Sequence, residues 1–332
     1  MNPEYIKNCP GTLAPGHQTF STACLRQVFD KKKVSCILPY QSLSSEEDGP
    51  LFRENRQRIS ISGVQEKVSM LLDRNELRLT KEDEQGTYIL KPIPRDLDEV
   101  DQVPANEHLT MQIARQIYKI DTAGNALVFF KDGSPAYLTK RFDIKPDGTR
   151  WGKEDFASLA GKTSDNSGPD FKYDYSYESI AELIRRYVPA SILELEKFFS
   201  LLIFNYLFSN GDAHLKNFSV LQTADGDHIL SPAYDLINTR IHVNDRDFAL
   251  NGGLFKDNFE STSLKLNGWV GLADFHEFAD RIGIAERRRD KLLAPFLNKQ
   301  DGVEQLTSRS FLDEGTKKLY LASYEERLKK LS

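Results

Sequence analysis

Apolar residues change their spacing several times along this 332-residue chain, and each change predicts a different kind of element. Across residues 59–72 apolar and polar positions alternate and then run apolar, and residues 87–91 form a short β-prone run closed by Pro92. A period of two is the mark of strands. From Pro104 the period lengthens, and Leu109, Ile113 and Ile117 recur on one face of an expected amphipathic helix. Residues 126–130 and 136–142 return to strand character around Asp132-Gly133-Ser134-Pro135, a turn sequence that predicts a hairpin. Helical spacing then dominates, over residues 177–187, 192–208, 281–296 and 319–331. From Phe198 the second of these is apolar nearly all round, which predicts burial. Residues 42–50 read as an exposed linker, and residues 160–174, rich in Gly, Ser, Asp and Lys, as a mobile segment.

Composition narrows the class. With 39% hydrophobic and 11% aromatic residues the chain can bury a large core, as one bilobal unit or two closely packed domains. A net charge of -5 argues against direct nucleic-acid binding, so any DNA contact is expected through a partner. The most apolar stretch, residues 198–208, is too short for a membrane span and is interrupted by Ser200 and Asn205, which predicts a cytoplasmic protein without membrane partners. Cys9, Cys24 and Cys36 leave an odd count and suggest no disulfide framework. Together with His17 they lack the close cysteine spacing of a structural zinc site, so reduced, partly buried thiols are expected.

The chemistry concentrates in Asn210-Gly211-Asp212-Ala213-His214-Leu215-Lys216-Asn217 and in Tyr234-Asp235. An aspartate, an asparagine five positions on and a later aspartate are what a kinase-type phosphoryl-transfer site requires. Asp212 is the candidate catalytic residue that accepts the proton of the attacking hydroxyl, while Asn217 and Asp235 are the candidate ligands of Mg2+ across the ATP phosphates. Lys91 ends an apolar strand, where a buried ammonium needs an anionic partner, and Glu107 on the following helix is the candidate to hold it. Lys216 carries no assigned role.

Taken in order, Ser60-Ile61-Ser62-Gly63-Val64-Gln65-Glu66-Lys67, Ile89-Leu90-Lys91-Pro92, Asn106-Glu107, Thr139-Lys140-Arg141-Phe142-Asp143, Glu154-Asp155, residues 210–217 and Tyr234-Asp235 resemble the HipA family of toxin serine/threonine kinases, most closely its short HipT-type members. The resemblance implies an α+β, bilobal protein-kinase-like fold: a small β-rich N-lobe over residues 58–143, a larger all-helical C-lobe over residues 144–332, and an N-terminal extension and linker over residues 1–57. It implies ATP and Mg2+ as cofactors. Ser62, Gly63, Val64, Gln65, Glu66 and Lys67 would form the phosphate-covering loop, although with one glycine its composition alone reads as a bulged strand. Lys91 would bind phosphates, Lys140, Arg141 and Phe142 would hold adenine largely through backbone groups, and Ala213, His214 and Tyr234 would lie beside the nucleotide. Ser60 and Ser62 match sites of autophosphorylation, where added negative charge opposes ATP binding. The implied partners are a HipS-like small antitoxin and a HipB-like DNA-binding antitoxin, and the implied substrate is an aminoacyl-tRNA synthetase, the tryptophanyl enzyme for the short members. Two other readings stay open at this point: a kinase acting on a small molecule or lipid head group, and a catalytically silent scaffold that binds antitoxins and bridges DNA.

Overall fold

The computed structural model describes residues 6–42, 66–95, 97–257 and 259–331. Ser60, Ser62, Gly63, Val64 and Gln65 lie outside them. A five-stranded antiparallel sheet is built from β1 (Val68–Asp73), β2 (Glu76–Leu79), β3 (Tyr88–Pro92), β4 (Asn125–Phe129) and β5 (Pro135–Lys140), in the order β2-β1-β3-β5-β4. The expected hairpin pairs β4 with β5, and Asp132 Oδ1 accepts from the Ser134 N–H at 2.9 Å to set its turn. Register places Lys91 of β3 opposite Tyr137 of β5, in the middle of the sheet.

The helix expected after Pro104 spans Val103–Gln116, with proline in its first turn, where no amide donor is missed. It packs against β4 and β5, and every residue from Val103 to Ala114 is buried, polar ones included. Residues 6–42 belong to the same core. Their helix α1 (Thr22–Val28) is capped by Ser21, whose hydroxyl accepts from the Cys24 N–H, and the long helix just described is therefore α2. The segment also covers the open edge of β4: the Leu127 N–H donates to Pro10 O and the Phe129 N–H to Cys36 O, both at 2.8 Å. All three cysteines are buried free thiols, and among the described residues no group of three or more His, Cys, Asp or Glu side chains is placed to hold a metal ion.

Helices α3 (Tyr177–Tyr187) and α4 (Ser191–Leu207) follow the expected bounds closely. Residues 144–332 are not all-helical, however. Strands β6 (Lys153–Asp155), β7 (Ser219–Gln222) and β8 (His228–Leu230) form a second antiparallel sheet. Strands of three or four residues are too short to show alternation, and β6 meets β7 across more than sixty positions of sequence, so no local signal announces the pairing. The stretch expected as one helix over 281–296 is divided. Arg281 closes α6 (Leu272–Arg281), which follows the short α5 (Thr262–Asn267); Gly283 then turns the chain at φ +72°, and α7 (Glu286–Leu293) begins afresh. Two helices end the chain, α8 (Asp301–Arg309) and α9 (Glu314–Leu331). No helix among the described residues is long and apolar enough to cross a membrane.

Candidate functional site

Helix α4 carries the Asp212 segment from the middle of the core. Phe198, Phe199 and residues 202–207 are all buried, so the loop beyond them stands on a rigid base. At its exit Ser209 adopts φ +52°, a left-handed conformation that a non-glycine residue enters only when its surroundings impose it. Those surroundings are a chain of hydrogen bonds. Thr239 Oγ1 donates to Ser209 O at 3.0 Å and accepts from the Gly211 N–H at 2.9 Å, while Asn210 Nδ2 donates to Asn205 Oδ1 at 2.9 Å. Gly211 is required by a close approach: a Cβ there would lie 2.5 Å from Asp245 Cγ and 2.6 Å from Arg246 O.

The C-terminal helix, for which the sequence suggests no role, reinforces this loop. Arg327 of α9 is completely buried; its Nε donates to Ser209 Oγ at 3.2 Å, its Nη2 donates to Asp247 Oδ1, and the guanidinium lies 4.8 Å from the Tyr206 ring centroid. One planar cation therefore ties both flanks of the Gly211–Asp245 contact. Higher on the same helix the Tyr320 hydroxyl meets Thr110 Oγ1 of α2 at 2.9 Å, joining the sheet-bearing part to the helical part.

A cleft of about 560 Å3 is lined by Lys67, Lys91, Asp212, His214, Asn217, Tyr234 and Asp235 among others. With Glu107, which also lines it, eight residues given candidate roles in the sequence are thus brought to one cavity, from positions up to 168 apart. At its inner end Lys91 Nζ donates to Glu107 Oε1 and to Asp235 Oδ1, both at 2.6 Å, with 4% and 2% of the Lys91 and Glu107 side chains exposed. Lys67 Nζ reaches the other Asp235 oxygen at 3.4 Å. Burial alone would push the Lys91 ammonium down, but the two carboxylates overcome it and hold it above its ordinary range. Burial likewise works against Asp235, yet Lys67 and Lys91 keep its carboxyl well below the usual range. Glu107 goes the other way: burial, only partly offset by Lys91, raises it to about 6.

Asp235 itself stands at φ +57°. Its neighbours hold it there. Asn106 of α2 donates to Asn238 O at 2.9 Å and accepts from the Asn238 N–H at 3.2 Å, clamping the chain just after it. Tyr234 donates to Lys216 O at 2.8 Å and also meets Ser219 Oγ, linking the Asp235 turn to the strand that follows Asn217.

At the outer end the Asp212 side chain is 48% exposed. The Tyr173 hydroxyl donates to its Oδ1 at 2.9 Å, while His214 Nε2 lies 3.9 Å away, beyond hydrogen-bond reach. Burial lowers His214 to about 4, so at neutral pH its imidazole is uncharged and contributes no positive field to the cleft.

Several expected residues sit elsewhere. Ala213 is buried, its carbonyl accepting from the Tyr177 hydroxyl at 2.9 Å, and it does not line the cleft. Glu66 lies 3.9 Å from Arg95. Lys140 and Arg141 have already given their N–H groups to Gly124 O at 2.7 Å and Thr87 O at 2.9 Å, and the Lys140 ammonium pairs with Asp30 at 2.6 Å. Both N–H groups are therefore already paired within the fold. Phe142 offers an aromatic surface instead: its ring centroid lies 5.7 Å from that of Tyr234, and Lys153 Nζ lies 5.6 Å and 4.9 Å from the two rings. Sequence reasoning missed Lys153, Lys172, Tyr173 and Asp245, all lining residues. Only Tyr173 had a signal, as one of two aromatics, with Phe171, in a segment otherwise rich in small and polar residues.

A family model for the HipA-like C-terminal domain matches residues 59–302. The chain belongs to that family. A Haemophilus influenzae protein named "Putative kinase" is 28% identical over 324 residues, spanning 93% of this chain and 91% of its own. Y4dM of Sinorhizobium fredii, likewise named as a kinase, is 33% identical over 212 residues; the match covers 59% of this chain and about half, 49%, of that relative. Among solved structures the chain is similar in fold to HipA of Shewanella oneidensis, captured with HipB and operator DNA, at a TM-score of 0.60 and 20% identity over 81% of this chain and 63% of that one. It is also similar to CtkA, a proinflammatory kinase of Helicobacter pylori, at a TM-score of 0.51 and 15% identity over 82% and 94%. The two solved structures share with this chain the mixed α/β fold described above.

Proposed function

We propose that the chain is an ATP-dependent serine/threonine protein kinase of the short HipT type, with a bilobal arrangement about the cleft, acting as the toxin of a toxin-antitoxin system. The observation that carries this is the Lys91–Glu107–Asp235 triad, with Lys91 and Glu107 buried, at one end of a cleft whose other end presents Asp212. A lysine held between two carboxylates is a charge arrangement with little structural purpose, since an apolar trio would pack at least as well. It suits a site that must receive phosphates.

In this reading Lys91 and Lys67 pass from Asp235 to the nucleotide phosphates, Glu107 keeps Lys91 in place, and Phe142 and Tyr234 face the base. Asn217 and Asp235 fit magnesium: one amide and one carboxylate, with phosphate oxygens and water completing the shell, is the donor set this ion accepts, and it would supply charge neutralisation across the phosphates. Asp212 accepts the proton as the acceptor hydroxyl oxygen bonds to the γ-phosphorus; the bond to the β–γ bridging oxygen breaks and ADP leaves. By the family resemblance the acceptor is an aminoacyl-tRNA synthetase, the tryptophanyl enzyme first, with self-modification at Ser60 or Ser62, HipB-like and HipS-like antitoxins as partners, and growth arrest as the outcome.

The test is incubation with labelled ATP followed by mass spectrometry of the chain and of purified synthetases, with Asp212→Asn as control. Label on Ser60 or Ser62 and on a synthetase, absent in the control, is the expected result. Undiminished label in the control would remove Asp212 from its role, and label confined to metabolites would replace the protein acceptor with a small molecule.

A further inference from the structure

The carboxylate assigned to proton transfer has one side-chain hydrogen-bond donor among the described residues, and it comes from a segment the kinase motifs do not include. Tyr173 lies in the single turn Phe171–Tyr173, and its hydroxyl donates to Asp212 Oδ1 at 2.9 Å. The donor does not swing freely. Its own carbonyl accepts from the Asn251 N–H at 2.8 Å, its ring stands edge-on to His214 at 5.3 Å with an interplanar angle of 71°, and Lys172 Nζ lies 4.8 Å from its ring centroid. Burial and the nearby Asp212 charge raise the phenol above its ordinary range, so it remains protonated and a donor at neutral pH.

Asp212, by contrast, is half open to solvent. A carboxylate in that setting rotates about its terminal bond unless something holds one oxygen, because that torsion is broad and two-fold. We propose that Tyr173 is a positioning residue for Asp212: the phenol fixes Oδ1, which leaves Oδ2 to take the proton of the acceptor hydroxyl. The inference rests on the kinase reading above and adds to it a residue outside the Asp-Asn-Asp set. The geometry has an opposite interpretation, in which the phenol occupies the acceptor's own place and must be displaced before reaction. Removing the hydroxyl separates the two by sign.

The experiment uses the full chain and Tyr173→Phe, which keeps the ring against His214 and deletes the donor. Self-labelling with ATP is followed for its limiting rate and for the ATP concentration giving half that rate, with thermal unfolding alongside. The expected result is a limiting rate lower by roughly 10- to 100-fold, the effect of one hydrogen bond to a charged group, with half-saturating ATP and unfolding midpoint unchanged. A second arm compares Asp212→Asn with the double variant Tyr173→Phe/Asp212→Asn; if the phenol acts through Asp212, the added change costs nothing further. An unchanged or faster rate in Tyr173→Phe, or a fall in rate that tracks a loss of ATP affinity and of stability, would overturn the proposal while leaving the kinase reading intact. A wild-type chain that neither binds ATP nor labels itself would overturn the kinase reading and this inference with it.

Discussion

At the Lys91 end of the cleft each charge is paired with its opposite and Lys91 and Glu107 are buried, whereas at the Asp212 end a carboxylate half open to water has one phenolic hydrogen-bond donor among the described residues. The first arrangement is costly to disturb. Its members are desolvated already, so removing one leaves the others uncompensated. The second is cheap to disturb, since water can replace whatever is taken away. On the kinase reading proposed above, nucleotide binding would fall to the end where solvent is largely excluded, and proton transfer to the end that an acceptor from outside can reach. A substitution at the inner end should be felt in stability, and one at the outer end in rate.

The largest expected effect lies at the inner end. Lys91→Met leaves Glu107 and Asp235 facing each other without their shared cation, and stability should fall by about 3–5 kcal/mol in urea unfolding. Combining it with Glu107→Gln should recover part of that loss, and failure to recover any would mean the pair is not coupled through Lys91. Asp212→Asn should do the reverse, lowering phosphoryl transfer by about 10²–10⁴-fold. Its stability should be nearly unchanged, since the Asn amide oxygen still accepts from the Tyr173 hydroxyl at a site half open to water. Equal stability losses in both variants would erase the contrast. The smallest effect is a pH dependence. Glu107 is raised to about 6, so its carboxylate is ionised above that pH and takes up a proton below it, releasing its hold on Lys91. ATP affinity measured by calorimetry should therefore weaken as pH falls from 7.5 towards 5.5, by on the order of tenfold. Glu107→Gln should be flat across the same range.

Much of this was legible before any coordinates. Strong local periodicity located α2, α3, α4 and the β4–β5 hairpin within a residue or two, because each carries enough repeats for its period to be read. The sheet of β6, β7 and β8 was not legible, since its strands are short and its partners distant. The break at Gly283 was passed over because the apolar spacing on either side stays in phase. Arg327 reads in the sequence as one more basic residue of a charged helix; only packing shows it buried beneath the Asp212 loop. Lys140 and Arg141 show a different limit. A motif gives their positions along the chain, but only the fold shows that their amide donors are paired with Gly124 O and Thr87 O.

The amino-acid order alone determined which groups this protein has for its chemistry: a carboxylate at 212, an amide at 217, a carboxylate at 235, and a lysine and a glutamate at 91 and 107, spaced so that strand, helix and loops must each contribute one. It determined these because catalytic spacing within one loop and periodicity within one element are local properties. Tertiary structure decided what state those groups are in. That Lys91 is gripped by two acids, that His214 is neutral, that Tyr173 steadies Asp212 and that the last helix braces the loop all depend on contacts between segments far apart in the chain. Burial, and the electrostatics that burial amplifies, exist only once those segments meet.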